Sequence, residues 1–343
     1  MRAPIESALP ALQSEQDKVV EELREADKFL LTTHENPDGD ALGSLLAMHW
    51  ILEQLGKDSL MYMSPDEFPL PWEYRNWTFD ARLVGAPPDD VGERTIVFLD
   101  CGNIDRMPVD FLQAEGLHIL NIDHHHDNTR FGTVNHVCPV ASCTAEIIWR
   151  LAKELGGVEI TPPIADALYT GLVTDTGRFM YENTTAEAHR MAADLIEAGV
   201  EPHRVYRRLY EDLPLRRLQL LQRALASVDR YDAGAITVAH LIKSDYEETG
   251  ALETDSEGVV DHMRAVEGTA VAVLVRELLS EGREGTRKVS LRATDGRVDV
   301  SRVARDFGGG GHPQAAGFST TMPYQELVDK LRELVGRQLA PTA

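Results

Sequence analysis

The stretch LTTHENPDGDALGS, Leu31 to Ser44, ends an apolar, β-branched run and opens a helical pattern. Between the two it places His34, Glu35, Asp38 and Asp40, a concentration of acid at the mouth of a buried strand. Asn, Pro, Asp and Gly all favour turns, and Asp caps helices, so a capped turn is one reading. A metal site is the other, and the rest of the chain decides between them.

Working outward, KFLLTT (Lys28 to Thr33) reads as a strand and ALGSLLAMHWILEQLG as the helix after it, closed by Gly56. SLMYMS, TIVFLDC and LHILNID are further short apolar runs bounded by turn residues. Strands alternating with helices predict an α/β domain, a parallel sheet with helices on both faces. From SCTAEIIWRLAKELGG to about Arg223 the pattern is helical. It changes at VDRYDAG, after which GAITVAHLI, EGTAVAVLVREL and KVSLRATD read as strands, and DVSRVARDFG and PYQELVDKLRELVGRQL as helices. The expected organisation is a first domain over 17–222, a hinge over 223–233 and a smaller α+β domain over 234–340.

In an open parallel sheet, ligands bind beyond the carboxyl ends of the strands. The first strand runs into His34, Asp38 and Asp40, TIVFLDC into Asp100, and LHILNIDHHH into Asp123, His124, His125 and His126. Asp175 stands where a helical pattern breaks, in GLVTDTGRF. Taken singly, each is a turn residue or a cap; together they would lie on one edge of one sheet. Aspartates gathered without cations push one another's pKa upward or destabilise the fold. Carboxylates mixed with imidazoles suit Mn²⁺ better than Ca²⁺ or structural Zn²⁺. The ligands exceed the needs of one ion, so two divalent ions about 3.5–4 Å apart are expected, sharing a carboxylate. Such a pair clamps a phosphoryl group for in-line displacement.

The chain has 343 residues and a net charge of −22. That charge argues against long duplex nucleic acid, which is bound by neutralising phosphates with Lys and Arg. No apolar run approaches the ~20 residues that cross a bilayer. MRAPIESALPALQSEQ has no apolar core of signal-peptide length, and Cys101, Cys138 and Cys143 form no CxxC pair. A cytoplasmic, non-membrane protein is expected. Cys101 reads as a small buried residue rather than a nucleophile, and His49, His118, His136, His189 and His203 as structural or surface. HRVYRRLYEDLPLRRLQLLQR reads as an exposed amphipathic helix at the domain junction.

Near the C-terminus, RDFGGGGHPQAAGFS (Arg305 to Ser319) is either a flexible linker or a nest in which glycine N–H groups approach an anion. His312 is a candidate donor there and Arg292, in KVSLRATD, a candidate bidentate partner of the same phosphate. With a dinuclear site elsewhere, a division of labour is expected: one domain cleaves, the other grips the far end of the substrate.

In order and spacing, HENPDGDALGS, the Asp100 strand end, IDHHH and TDTGRF resemble the four motifs of the DHH phosphoesterases, and SLRATD with GGGGHPQAAG resembles the DHHA1 domain. Size and architecture are similar to the branch of nanoRNases and pAp phosphatases. The resemblance implies that His34 and Asp38 bind one metal, that Asp40, His124 and Asp175 bind the other, and that Asp100 bridges them. It makes His125 a donor to the scissile phosphate, Asp123 the residue that orients His124, and Arg292, Gly310, Gly311 and His312 the grip on a phosphate or terminal nucleotide. His126 has no implied ligand role. The implied substrates are short RNA oligonucleotides, pAp and pApA, and similar proteins are commonly homodimers. A cyclic-di-AMP or pApA phosphodiesterase is the alternative within the family. A non-catalytic nucleotide sensor is the alternative of another class.

Overall fold

The computed structural model describes residues 3–340 except 76, 78, 80, 81, 108, 281 and 295, with side chains from residue 10 onward. The chain divides into two compact units between Glu211 and Asp212.

The first unit runs α1 (Ala3–Glu25), β1 (Lys28–Thr32), α2 (Gly39–Gln54), β2 (Asp58–Tyr62), β3 (Leu83–Val84), β4 (Thr95–Leu99), β5 (Ile119–Asp123), β6 (Val134–Val137), α3 (Thr144–Leu155), α4 (Pro162–Asp175), α5 (Ala186–Glu197) and α6 (Pro202–Tyr210). Its strands form one sheet in the order β3-β2-β1-β4-β5-β6, and every pairing is parallel. The order reverses between β1 and β4, which makes the crevice beyond their carboxyl ends the expected place for a ligand. Alternation along the strands separates two cores. Phe29, Leu31, Val97, Leu99, Leu120 and Ile122 pack against the buried faces of the α-helices. Leu30, Ile96 and Phe98 face the other way, onto Met107 and Leu112 in short 3₁₀ turns. Among the described residues, the second face is covered by short 3₁₀ turns and loops rather than by α-helices.

The second unit runs α7 (Leu215–Ala226), β7 (Asp229–Tyr231), β8 (Ile236–Leu241), α8 (Lys243–Thr249), α9 (Val259–Arg264), β9 (Val271–Glu277), β10 (Arg287–Ala293), α10 (Val300–Arg305), β11 (Gly310–Gly311), β12 (Ala315–Thr320) and α11 (Tyr324–Leu339). Its mixed sheet has the order β11-β12-β10-β9-β8-β7, with only β8 and β9 parallel. Val289, Leu291 and Phe318 on one face pack with α10 and α11, while Ala239, Leu241 and Leu274 on the other pack with α7 and α9.

Two expectations are corrected. The division falls before α7 because Leu220 and Ala224 are buried against the second sheet, and the stretch expected as a hinge instead contains β7, an edge strand paired with β8. The single amphipathic helix expected over 203–223 is two, α6 and α7, separated before Pro214, whose ring has no N–H to continue a helix. Among the described residues, no helix is long and apolar enough to cross a membrane.

Candidate metal centre

Three strands and two helices deliver the acidic residues to the switch point. β1 leads to His34, which is 4% exposed, and its Nδ1 donates to the carbonyl of Glu35 at 2.7 Å, leaving Nε2 toward the site. Asp38 caps α2: its Oδ1 accepts from the backbone N–H of Asp40 at 3.0 Å and of Ala41 at 3.1 Å. Asp40 is buried in the first turn of that helix, and its carboxylate accepts from the N–H groups of Thr144 (2.7 Å) and Ala145 (2.9 Å) at the start of α3. Such a helix end favours negative charge.

Close packing of α2 against α4 brings Asp175 to the same place. A Cβ on Gly43 would stand 2.3 Å from the carbonyl oxygen of Ala167, and one on Gly171 would stand 2.7 Å from Oδ1 of Asp40. Only glycine permits that approach. Asp175 ends α4, and Asn183 Nδ2 donates to its Oδ2 at 3.0 Å.

β4 ends at Asp100, whose backbone adopts the left-handed region (φ 57°), at ~1–2 kcal/mol for a residue with a side chain. The twist gives each carboxylate oxygen its own neighbour. Oδ2 lies 3.8 Å from Nε2 of His34, and Oδ1 lies 3.5 Å from Nε2 of His124 and accepts from Thr144 Oγ1 at 3.0 Å. β5 ends at Asp123, fully buried, which accepts from His125 Nδ1 at 2.7 Å and from Asn128 Nδ2 at 2.6 Å.

The side chains therefore assemble as His34, Asp38 and Asp100 in one group, Asp40, His124 and Asp175 in a second, and Asp100, Asp123 and His125 in a third. Within each group the ligand atoms lie within 4.8 Å of one another. The expected partnership of Asp123 with His124 is instead with His125.

The charges are unevenly shared. Burial, then the charges of Asp100, Asp175 and Asp38, push Asp40 well above the usual carboxylate range. Burial raises Asp175 to about 7, helped by Asp100 and Asp38 and opposed by His124 and His125. Burial pushes Asp100 in the same direction, but the nearby imidazole of His34 and the charges of His125 and His124 overcome it and hold Asp100 low. Burial would lower His125, yet Asp123 and Asp100 lift it to about 9. Without cations this cluster keeps protons that carboxylates ordinarily lose, which is what a metal-binding set does when empty. Carboxylate and imidazole donors that converge, most of them withdrawn from solvent and Asp38 exposed, suit a divalent ion.

The bystanders fall where the sequence put them. Cys101 is fully buried and its thiol is raised by burial to about 12, unfit as a nucleophile. His49 is buried with Nδ1 3.0 Å from Ser59 Oγ, His118 pairs with Glu22, and burial lowers His136 to about 4. His189 stacks on Phe179, and His126 and His203 are exposed. Thr144, Asn128 and Asn183 escaped sequence reasoning, because each acts on a carboxylate far away in the chain or outside any pattern.

In the second unit the glycine run forms a hairpin, not a linker. Gly310 pairs with Gly317 and Gly311 with Ala316, and the His312 N–H donates to the Ala315 carbonyl at 2.7 Å. Gly311 has φ 133°, and a Cβ there would lie 2.5 Å from the Ala315 carbonyl oxygen. Arg292 lies opposite Ala315 on β10, its Nε 3.5 Å from Oδ1 of Asp261.

Comparison with known proteins finds two family domains in the chain. The N-terminal domain of the DHH family matches residues 28–172, and the DHHA1 domain matches residues 235–340. A protein of Thermus thermophilus named bifunctional oligoribonuclease and PAP phosphatase NrnA is 35% identical over 312 residues, which is 90% of either chain. The Bacillus subtilis protein of the same name is 28% identical over 302 residues, covering 85% of this chain and 89% of its own. The crystal structure of an exopolyphosphatase-related protein from Bacteroides fragilis shares the fold with a TM-score of 0.80 at 24% identity, over 95% of this chain and 96% of its own.

Proposed function

Because the chain belongs to the DHH family and carries the DHHA1 domain with it, we propose that it is a phosphoesterase dependent on two divalent ions, Mn²⁺ foremost. Its substrates are then very short oligoribonucleotides, cleaved to nucleoside monophosphates, and 3′-phosphoadenosine 5′-phosphate (pAp), cleaved to AMP and phosphate. One observation carries the reading. Asp100 turns one carboxylate oxygen toward His34 and the other toward His124, so a single side chain serves both ligand groups. A shared carboxylate is what a two-ion phosphoryl-transfer site requires.

In this reading His34, Asp38 and Asp100 hold one ion, and Asp40, His124, Asp175 and again Asp100 hold the other. When bound, two such ions lower the pKa of a water molecule and neutralise charge on a phosphoryl group. The protein supplies the rest. His125, fixed through Nδ1 on Asp123, presents its other ring nitrogen as a donor to a non-bridging phosphate oxygen as charge builds there. Asp123 is a positioning residue: it keeps His125 protonated and sets the plane of its ring. Arg292, Gly310, Gly311 and His312 are proposed to hold a substrate phosphate or terminal nucleotide. A net charge of −22 agrees with a small anionic substrate gripped locally rather than a long strand held along a surface.

The test is turnover by metal-stripped protein, with and without added Mn²⁺, of pAp, pApA, di- to pentaribonucleotides and cyclic-di-AMP. Mn²⁺-dependent release of AMP and nucleoside monophosphates, abolished by Asp100→Ala and by His125→Ala, is the expected result. Preference for cyclic-di-AMP would replace the substrate and keep the chemistry. Tight binding of a nucleotide with no turnover would overturn the enzyme reading.

A further inference from the structure

The loop after Asp175 bends in a way its sequence does not ask for. Gly177, Arg178 and Phe179 follow one another in the left-handed region, with φ of 53°, 64° and 64°. Left-handed residues with side chains occur singly as a rule, and two in succession persist only where their surroundings hold them. The holding contacts are present. Thr176 Oγ1 donates to the Leu172 carbonyl at 2.6 Å and accepts from Phe179 N–H at 3.1 Å, and the Arg178 N–H reaches the Val173 carbonyl at 2.8 Å. Asn183 Nδ2 donates to Ser142 O, to Asp175 O and to Asp175 Oδ2.

The bend divides two neighbouring side chains. Phe179 turns in to stack on His189, with ring centroids 5.0 Å apart. Arg178 turns out, exposed, its Cζ 5.0 Å from the centroid of the half-buried Tyr210 ring. In a chain with 56 acidic residues, Arg178 has no carboxylate in ion-pair range among the described residues. A guanidinium lying on an aromatic face keeps its N–H groups in its own plane, directed outward, and loses little freedom on gripping an anion. Three residues span at most about 10 Å of chain, so Arg178 is held close to the Asp175 side of the metal centre.

Resting on the function proposed above, we propose that Arg178, braced on Tyr210, binds the phosphate next to the scissile one and so selects substrates with a second phosphate, such as pApA and pAp. The fork of a guanidinium matches phosphate in a bidentate manner, and the strain of the loop is the means of presenting it.

The test compares Mn²⁺-loaded full-length protein with Arg178→Ala and Arg178→Lys on pApA and on bis(p-nitrophenyl) phosphate, which has one phosphate and no neighbour. Losing hydrogen bonds to a charged group is worth about 10–100-fold. The ratio of kcat/KM for pApA over bis(p-nitrophenyl) phosphate is expected to fall by that factor in Arg178→Ala, chiefly through KM, with partial recovery in Arg178→Lys. Calorimetric binding of pAp against AMP is expected to lose its preference for pAp in parallel. An unchanged ratio overturns the proposal. So does an equal loss of kcat on both substrates, which would make the loop only a support for Asp175. Absence of turnover in the wild type would instead sink the proposed function, and the binding preference would still judge Arg178.

Discussion

Removing a proposed metal ligand should make this protein more stable when no metal is present. Asp175 is the residue on which to show it. In the metal-free state its carboxyl is raised from 3.8 to about 7, by burial first and then by Asp100 and Asp38. An acid whose folded pKa is raised holds its proton more tightly folded than unfolded, so stability falls as pH rises from the unfolded value to the folded one. Carried through that window, the displacement corresponds to ~4 kcal/mol lost by pH 8, against less than ~1 kcal/mol at pH 4. Asp175→Asn keeps the shape, still accepts from Asn183, and removes the titration. For a unit of this size 1 kcal/mol moves Tm by roughly 2–4 °C. In EDTA at pH 8 the variant should therefore melt about 8–16 °C above the wild type, and the two should nearly coincide at pH 4. Saturating Mn²⁺ should reverse the order, since only the wild type keeps the full ligand set and binding to the folded state alone raises stability. Scanning calorimetry at two pH values, with and without metal, reads all of this. A variant no more stable than the wild type in EDTA at pH 8 would refute the reasoning, because the carboxylates would then not be in conflict.

Three further outcomes follow from the geometry. Gly171→Ala places a methyl 2.7 Å from Asp40 Oδ1 and 2.9 Å from Ala145 Cβ; overpacking of ~1–3 kcal/mol less ~1 kcal/mol of helix propensity leaves a loss of at most ~2 kcal/mol, so Tm should fall by no more than about 8 °C while Mn²⁺ affinity, by titration calorimetry, falls at least tenfold. Gly43→Ala meets a backbone carbonyl at 2.3 Å that cannot swing away, so this variant should instead lose ~1–3 kcal/mol or more in denaturant unfolding. Asp123→Asn removes the charge that lifts His125 to about 9 against its burial; the alkaline limb of kcat/KM should move toward neutral pH, with a rate loss of about 100-fold, and an unmoved limb would take His125 out of the donor role.

Much of the first unit was legible because a parallel sheet buries both faces of its strands, so each reads as a short apolar run. β1, β2, β4 and β5 were found that way, and their carboxyl ends led directly to His34, Asp100 and Asp123. β3 and β6 were missed: one is only Leu83–Val84 and the other, VNHV, puts polar residues on an edge strand. α1 was missed as well, although Val19 and Leu23 are fastened into the core, because Pro10 interrupts its pattern. In the second unit the glycine run was ambiguous until β12 supplied a strand for it to pair with. The supporting donors were not legible at all. Thr144 meets Asp100 because elements distant in sequence converge there, and Asn183 meets Asp175 through the bend of the short loop between them.

The two readings of HENPDGD turn out to be one device. Asp38 caps α2 and is also a member of the first ligand group, and Asp40 faces the opening N–H groups of α3 while belonging to the second. The donors found on these carboxylates are backbone N–H groups, the hydroxyl of Thr144, the amides of Asn128 and Asn183, and imidazoles. An arginine in such a place would orient an aspartate by neutralising it, and would then compete with the cation. On Asp40 and Asp175 the hydrogen-bond donors are neutral and orient without neutralising, so those two pKa values stay high until an ion arrives, whereas Asp100 and Asp123 face the charge of His125. Part of the left-handed backbone of the chain gathers at the same place, although Arg130, Asp212, Asp232 and Ala233 adopt it elsewhere in the chain. Asn36, Asp100, Arg178 and Phe179 all take left-handed backbone, and each lies within a few residues of His34, Asp38, Asp100 or Asp175. Asn and Asp tolerate that region and look like ordinary turn residues in a sequence, whereas Arg and Phe do not. In the loop after Asp175 that strain stands beside a carboxylate presented by the C-terminal end of a helix.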